Sequence, residues 1–389
     1  MYLTAQDSHL SEDNQEMPAP SMRAIVVRVA FLVVLVGIGA GVWHFLIRDE
    51  GGPSGPEKEE AKEEREPISE DPLVRRMSVA ERAEQVLMLG FEGDPNTVSG
   101  GLGAVLVRQE NGGGAAKALA SLGGEIPPLV AASQEGGIYR SFPELPPAES
   151  ELDIGRSEAP EAALSWSQAA SKALADAGIQ LNLFPVADVA TLDSPLAGRA
   201  FSDDPAQVAV LTEEAIQGCE DAGIACAPAH FPGLGSASQD TAVGPATVAS
   251  PVEVLSNRDL VPFRAVAKDA PAMVLSLALY PDFDAAIPGA MTEGVATGLL
   301  RDEIGFKGVA ISDDLGSGAV AGAFTPEEAA VRAIAAGTDL VQIAAPEDAE
   351  GVAEAIEQAV KDEEITPERL AEAAERVVAL KRDLGLVED

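Results

Sequence analysis

Eight short apolar runs constrain what this chain can become: residues 86–90 (VLMLG), 104–108 (AVLVR), 128–132 (PLVAA), 180–184 (QLNLF), 224–227 (IACA), 273–277 (MVLSL), 308–312 (GVAIS) and 339–343 (DLVQI). Amphipathic helical stretches such as 160–178 and 205–222 lie between most of them, the latter opening with a proline in its first turn. Strands that are apolar on both faces and separated by helices pair in parallel and are covered on each side. Eight such units predict an α/β fold, a (β/α)8 barrel of TIM type. A doubly wound open sheet is the alternative, because periodicity does not report closure of the ring. Residues 346–386 read as two polar-faced helices, the second capped at Thr366 with Glu368 close behind. Apolar residues make up 46% of the chain but aromatics only 4%, so Ala, Val, Leu and Ile must fill the core.

Ahead of these units the texture differs. Val29 to Ile47 is an unbroken run of 19 residues with His44 as its only polar side chain, bracketed by Arg28 and Arg48. That length suffices for a helix to cross the hydrocarbon core of a bilayer. It exceeds an ordinary signal-peptide core and no clear cleavage site follows, so an uncleaved anchor is favoured over a signal peptide. Arg23 and Arg28 precede the span, whereas Arg48 is followed at once by Asp49 and Glu50, which puts the N-terminus in the cytoplasm. Residues 48–72 are rich in Gly, Pro and Glu, the composition of an extended, self-repelling tether. The expected organisation is a cytoplasmic tail (1–28), a single transmembrane helix in the lipid bilayer (29–47), an acidic linker (48–72) and an extracytoplasmic barrel (73–389).

Lys and Arg total 26 against 64 Asp and Glu, a formal charge of -38 that repels phosphate backbones, so nucleic acid is a poor partner. Cys219 and Cys226 lie seven positions apart without CxxC spacing, and read as buried thiols rather than a bridge or a zinc site. His9, His44 and His230 are too few for a multi-histidine metal site, and no cofactor is implied.

In a barrel of this kind the chemistry stands at the C-terminal ends of the strands. Those positions hold Gln134 and Glu135, Asp188, His230, and Asp313 with Asp314. No Gly-rich phosphate loop joins a strand to a helix, and no Lys at a strand end offers a Schiff base. Carboxylates without metal-binding histidines point to acid, base and nucleophile work on a neutral substrate.

The segments SVAERAEQVLMLGFEG, SQEGG, LNLFPVADV, GRAFSDDP, AHFPGLG, PGAMTEGVATGLLRDEIGFKGVAISDDLGSGAV and AIAAGTDLV follow one another between Ser78 and Ala345. In that order they resemble family 3 glycoside hydrolases, specifically the single-barrel β-N-acetylglucosaminidase (β-N-acetylhexosaminidase) branch. The resemblance implies retaining hydrolysis of O-glycosidic bonds in carbohydrates that contain N-acetylglucosamine, such as cell-wall fragments. It makes Asp313 the nucleophile that forms a covalent glycosyl-enzyme intermediate, with Asp314 as a local cap. It puts Arg199, His230 and Glu135 at sugar-binding positions, and makes Asp188 a substrate contact or a carboxylate that organises the barrel floor.

Where the family loop runs H-F-P-G-H-G-D-T and then D-S-H, this chain reads HFPGLGSASQDTA. Asp240 is kept, and Ala242 stands where the resemblance puts the general acid/base histidine. Ala229, Ser133, Ile138 and Leu277 replace a Lys, an Asp, an Arg and a His of the family pattern. A positioned general acid contributes about 10²–10⁴ in rate. Either Asp240 substitutes for the missing histidine, or the chain is a degenerate member that binds or scaffolds glycans in the cell envelope. Two-domain members take their acid, a Glu, from a second domain, a route expected to be closed here because little sequence follows the last apolar run.

Overall fold

A computed structural model describes residues 68–108, 114–157 and 159–388. All eight expected strands are present: β1 (Leu87–Gly90), β2 (Ala104–Leu106), β3 (Leu129–Ala132), β4 (Leu181–Asn182), β5 (Ala225–Cys226), β6 (Ala272–Leu275), β7 (Val309–Ser312) and β8 (Val341–Ile343). Six pair in parallel in the order β8-β1-β2-β3-β4-β5, and β6 pairs in parallel with β7. Parallel bridges from Phe231 to Leu275 and from Ile311 to Leu340 join the two groups. Every strand thus has a neighbour on each side, which is consistent with the expected barrel and does not fit a sheet with two free edges.

The pleat sorts the side chains into two cores. Met88, Leu106, Leu129, Leu181, Val274 and Ile311 pack together inside the ring with the small Ala104, Ala131, Ala225 and Ala272. Their chain neighbours Leu87, Leu89, Val105, Val130 and Met273 belong instead to a cluster shared with helical residues such as Leu174, Leu211 and Ile334. Val377 and Leu380 of helix Pro367–Asp383 join the inner cluster, and Arg369 and Arg376 of the same helix pair with Asp339 just ahead of β8. That helix closes the N-terminal end of the ring and leaves the C-terminal end for a site.

The expected long helices form at Pro160–Ala177 and Pro205–Ala222, each followed by a left-handed glycine, Gly178 (φ 90°) and Gly223 (φ 75°). The C-terminal pair is Ala349–Lys361 and Pro367–Asp383, and the Thr366 hydroxyl accepts the Arg369 N–H at 3.1 Å. Residues just ahead of position 73 are tied to the last helix. Asp71 caps helix Pro72–Arg76 and pairs with Arg382 at 2.8 Å, and Ser69 donates to Glu375 at 2.7 Å.

Free thiols at Cys219 and Cys226 are not found: the two form a disulfide, with Cα atoms 6.0 Å apart. Cys219 lies in the last turn of helix Pro205–Ala222 and Cys226 lies in β5, and the left-handed Gly223 reverses the chain so that the two face each other at bridging distance. The expected transmembrane helix (29–47), the tail before it and most of the linker lie outside the described residues. Among the described residues no helix is long and apolar enough to cross a membrane.

Candidate active site

The carboxylates and histidine read from the strand ends gather at the C-terminal end of the ring. After β3 the chain forms a hairpin, Gln134–Gly136 with Tyr139–Arg140, turning through Gly136 (φ 103°) and Gly137 (φ 56°). Gln134 donates to the carbonyls of Phe142 and Pro146, both at 3.0 Å, and so clamps the following loop. Glu135 meets Arg199 as a fork, with both Nε and Nη2 donating at 2.8 Å. The Arg199 guanidinium also lies 5.5 Å from the Tyr139 ring centroid and 3.4 Å from His230 Nε2.

His230 is 5% exposed, and its Nδ1 stands 2.7 Å from Asp188 Oδ2. The other oxygen of Asp188 accepts the Leu234 N–H at 2.5 Å, so one carboxylate holds both the ring and the loop that carries it. Asp188 has no exposed surface and both its oxygens are engaged, an arrangement that suits the carboxylate that organises the barrel floor better than a direct substrate contact. A carboxylate acceptor at Nδ1 leaves Nε2 to face Arg199. Burial disfavours charge on His230, but the Asp188 carboxylate outweighs it and holds the imidazole above its ordinary range. Burial likewise works against Arg199, and Glu135 reverses the effect and strengthens its charge.

Asp313 follows β7 and is half-buried; its N–H donates to Leu275 O at 3.0 Å and its Oδ1 accepts the Asp314 N–H at 2.8 Å. It is near enough to Arg199 and His230 for its charge to act on both. Asp314 turns away, accepting the N–H groups of Gly316 and Ala344 at 3.0 Å each, the local cap expected of it. Burial raises its carboxyl. Asp240 accepts the Ala242 N–H at 2.9 Å, and the Ala319 N–H ties this turn to the segment after β7 through Thr241 O at 3.0 Å. Ala242 borders a cleft of about 690 Å³ that Glu135 and Arg199 also line, and there the cleft meets nothing longer than a methyl group.

Glu151, Asp259, Arg108 and Arg140 are absent from the strand-end residues, yet all bear on this region. Both oxygens of the buried Glu151 accept the Val186 N–H, at 2.9 and 3.2 Å, two residues before Asp188. Burial, reinforced by the Glu135 charge, raises its carboxyl well above the usual range. Asp259 is fully buried against Gly233, with neither carboxylate oxygen hydrogen-bonded among the described residues and Arg258 Nη2 at 3.6 Å. Burial pushes it up to about 6. Arg108 and Arg140 line the cleft. Arg108 was findable as the last residue of the second apolar run; Arg140 lies in a hairpin, and Glu151 and Asp259 lie in the helical segments Glu151–Arg156 and Leu255–Asp259, away from any strand end. Among the described residues no group of His, Cys, Asp and Glu is placed to hold a metal ion.

Comparison with known proteins gives these features a context. Residues 108–380 match the family described as the glycosyl hydrolase family 3 N terminal domain. A protein of Xanthomonas oryzae pv. oryzae (strain MAFF 311018) named beta-hexosaminidase is 36% identical over 233 residues, covering 57% of this chain and 68% of that protein. Among solved structures, a glycoside hydrolase family 3 beta-N-acetylglucosaminidase from Paenibacillus sp. str. FPU-7 aligns with a TM-score of 0.74 at 26% identity, over 80% of this chain and 63% of that one. A GH3 family glycosyl hydrolase from Mycobacterium smegmatis str. MC2 155 aligns with a TM-score of 0.73 at 25% identity, over 79% and 98%.

Proposed function

The chain belongs to glycosyl hydrolase family 3, and from that premise we propose that it is a retaining β-N-acetylhexosaminidase acting on glycans that contain N-acetylglucosamine. The observation that carries the reading is the convergence of two preset pairs, Glu135–Arg199 and Asp188–His230, beside Asp313 at the open end of the ring. Arg199, held by Glu135, and His230, held by Asp188, orient the sugar. Asp313 attacks the anomeric carbon and forms the glycosyl-enzyme, and water releases it. Asp240 exchanges protons with the leaving oxygen and the incoming water, at a rate reduced by the lack of an imidazole at position 242.

The chain acts outside the cytoplasm, held at the cell membrane by the apolar residues 29–47, ahead of the acidic stretch 48–72. The Cys219–Cys226 disulfide supports this placement, because such bonds persist in oxidising compartments. Ala242 favours a second reading, a glycan-binding barrel of the cell envelope without turnover. An aryl N-acetylglucosaminide whose leaving group departs without protonation decides between them. The full chain is expected to cleave it and Asp313→Asn to lose that activity to background; no cleavage by folded wild-type protein would favour the binding role.

A further inference from the structure

Ala242 and three arginines share the cleft. Arg108, Arg140 and Arg199 line it with one carboxylate, Glu135, although acids outnumber bases 64 to 26 in the chain as a whole. Glu135 engages Arg199 with both oxygens. Arg140 has no carboxylate partner among the described residues: its Nε donates to Gly137 O at 2.7 Å and its Nη1 to Leu145 O at 3.1 Å. Those carbonyls fix the guanidinium in place without neutralising it. Ser133 and Ser141 add hydroxyls to the same wall, where the family pattern has an acid at position 133.

A cleft with no proton donor at Ala242 and with fixed positive charge suits a leaving group that departs as an anion. We propose that the leaving group is phosphate: the substrate is an N-acetylamino sugar with a β-linked phosphate monoester on its anomeric carbon. The proposal rests on the reading of Asp313 as nucleophile. An Asp313 oxygen gives an electron pair to the anomeric carbon, and the bond from that carbon to the phosphate oxygen breaks with its pair staying on the phosphate. Arg140 meets that charge, a task for which the planar guanidinium is suited. Water then attacks the anomeric carbon, its proton passes to Asp240 and on to solvent, and the Asp313 carboxylate is restored. No proton is delivered in the first step, so the methyl group of Ala242 costs that step nothing. A negatively charged substrate replaces the neutral one expected from the strand-end carboxylates.

The test compares initial rates of the full chain on β-N-acetylglucosamine 1-phosphate and on nitrophenyl β-N-acetylglucosaminide, whose leaving group needs no acid and no arginine. Wild-type protein is expected to release phosphate. Arg140→Gln is expected to lower the ratio of phosphate to nitrophenyl rates by about 10- to 100-fold, the size of one charge-assisted contact, and Arg140→Lys to keep more of it. A melting curve for each variant separates this from loss of fold, and the ratio itself is insensitive to the fraction folded. Nitrophenyl release without phosphate release, or a ratio unchanged in Arg140→Gln, overturns the proposal and leaves the glycosidase reading standing. Release of neither product by folded protein overturns both.

Discussion

The His230 ring is fixed by Asp188 at 2.7 Å across 42 positions of sequence, and the second oxygen of the same carboxylate fixes the Leu234 N–H. Asp188→Asn breaks a fully buried charge pair, which costs about 3–5 kcal/mol when one partner is lost. The sign of its pH dependence follows from the raised His230 pKa. Stabilisation from the imidazolium is complete below the unfolded value of 6.5 and is lost as pH rises through the higher folded value. Denaturant titrations of wild type and variant are expected to differ most below pH 6.5 and to draw closer above it.

Asp259 gives a pH dependence from an acid. Its carboxyl, raised from 3.8 to about 6, holds a proton in the folded state that the unfolded chain has already released. Wild-type stability is therefore expected to fall as pH rises from 3.8 to about 6 and to level off above, by about 3 kcal/mol in all. Asp259→Asn removes this loss, so unfolding curves should show the variant more stable at pH 7.5, with the gain gone at pH 4.

The disulfide is a separate stabilising element. Its partners are 7 positions apart, a short loop, for which chain-entropy arguments give about 2–3 kcal/mol. The Cys219→Ser, Cys226→Ser double variant is expected to unfold at lower denaturant by that margin. A thiol reductant should lower the midpoint of the wild type alone.

Restoring an imidazole at the cleft tests the cost of Ala242. Ala242→His is expected to raise kcat on an alkyl N-acetylglucosaminide by about 10²-fold, the lower end of what a general acid contributes, and to leave the nitrophenyl substrate little changed. The ratio of the two kcat values, wild type against variant, is the measurement.

The barrel was legible because each strand is buried on both faces and so reads as an uninterrupted apolar run. Closure was not, since it is made by single bridges, Phe231 to Leu275 and Ile311 to Leu340, just beyond the runs. Asp313, Glu135, His230 and Asp188 were legible as candidates because they stand within six residues past the ends of β7, β3, β5 and β4. Glu151 reads as an ordinary first-turn acid of helix Glu151–Arg156, and only the fold delivers it to Val186. Arg140 belongs to a hairpin set between a strand and its helix, where no period points to it. The cysteine pair failed for a similar reason: seven-residue spacing carries no signature, and the bridge depends on the turn at Gly223.

Covalent attachment of the sugar to Asp313 is open to trapping. The full chain is incubated with a 5-fluoro glycosyl fluoride that keeps the acetamido group, then taken to intact mass and peptide mapping. A single fluoro-sugar adduct on the peptide that carries Asp313, absent from Asp313→Asn, is the expected result. Folded protein that forms no adduct, or an adduct on another carboxylate such as Asp240, would contradict the assignment.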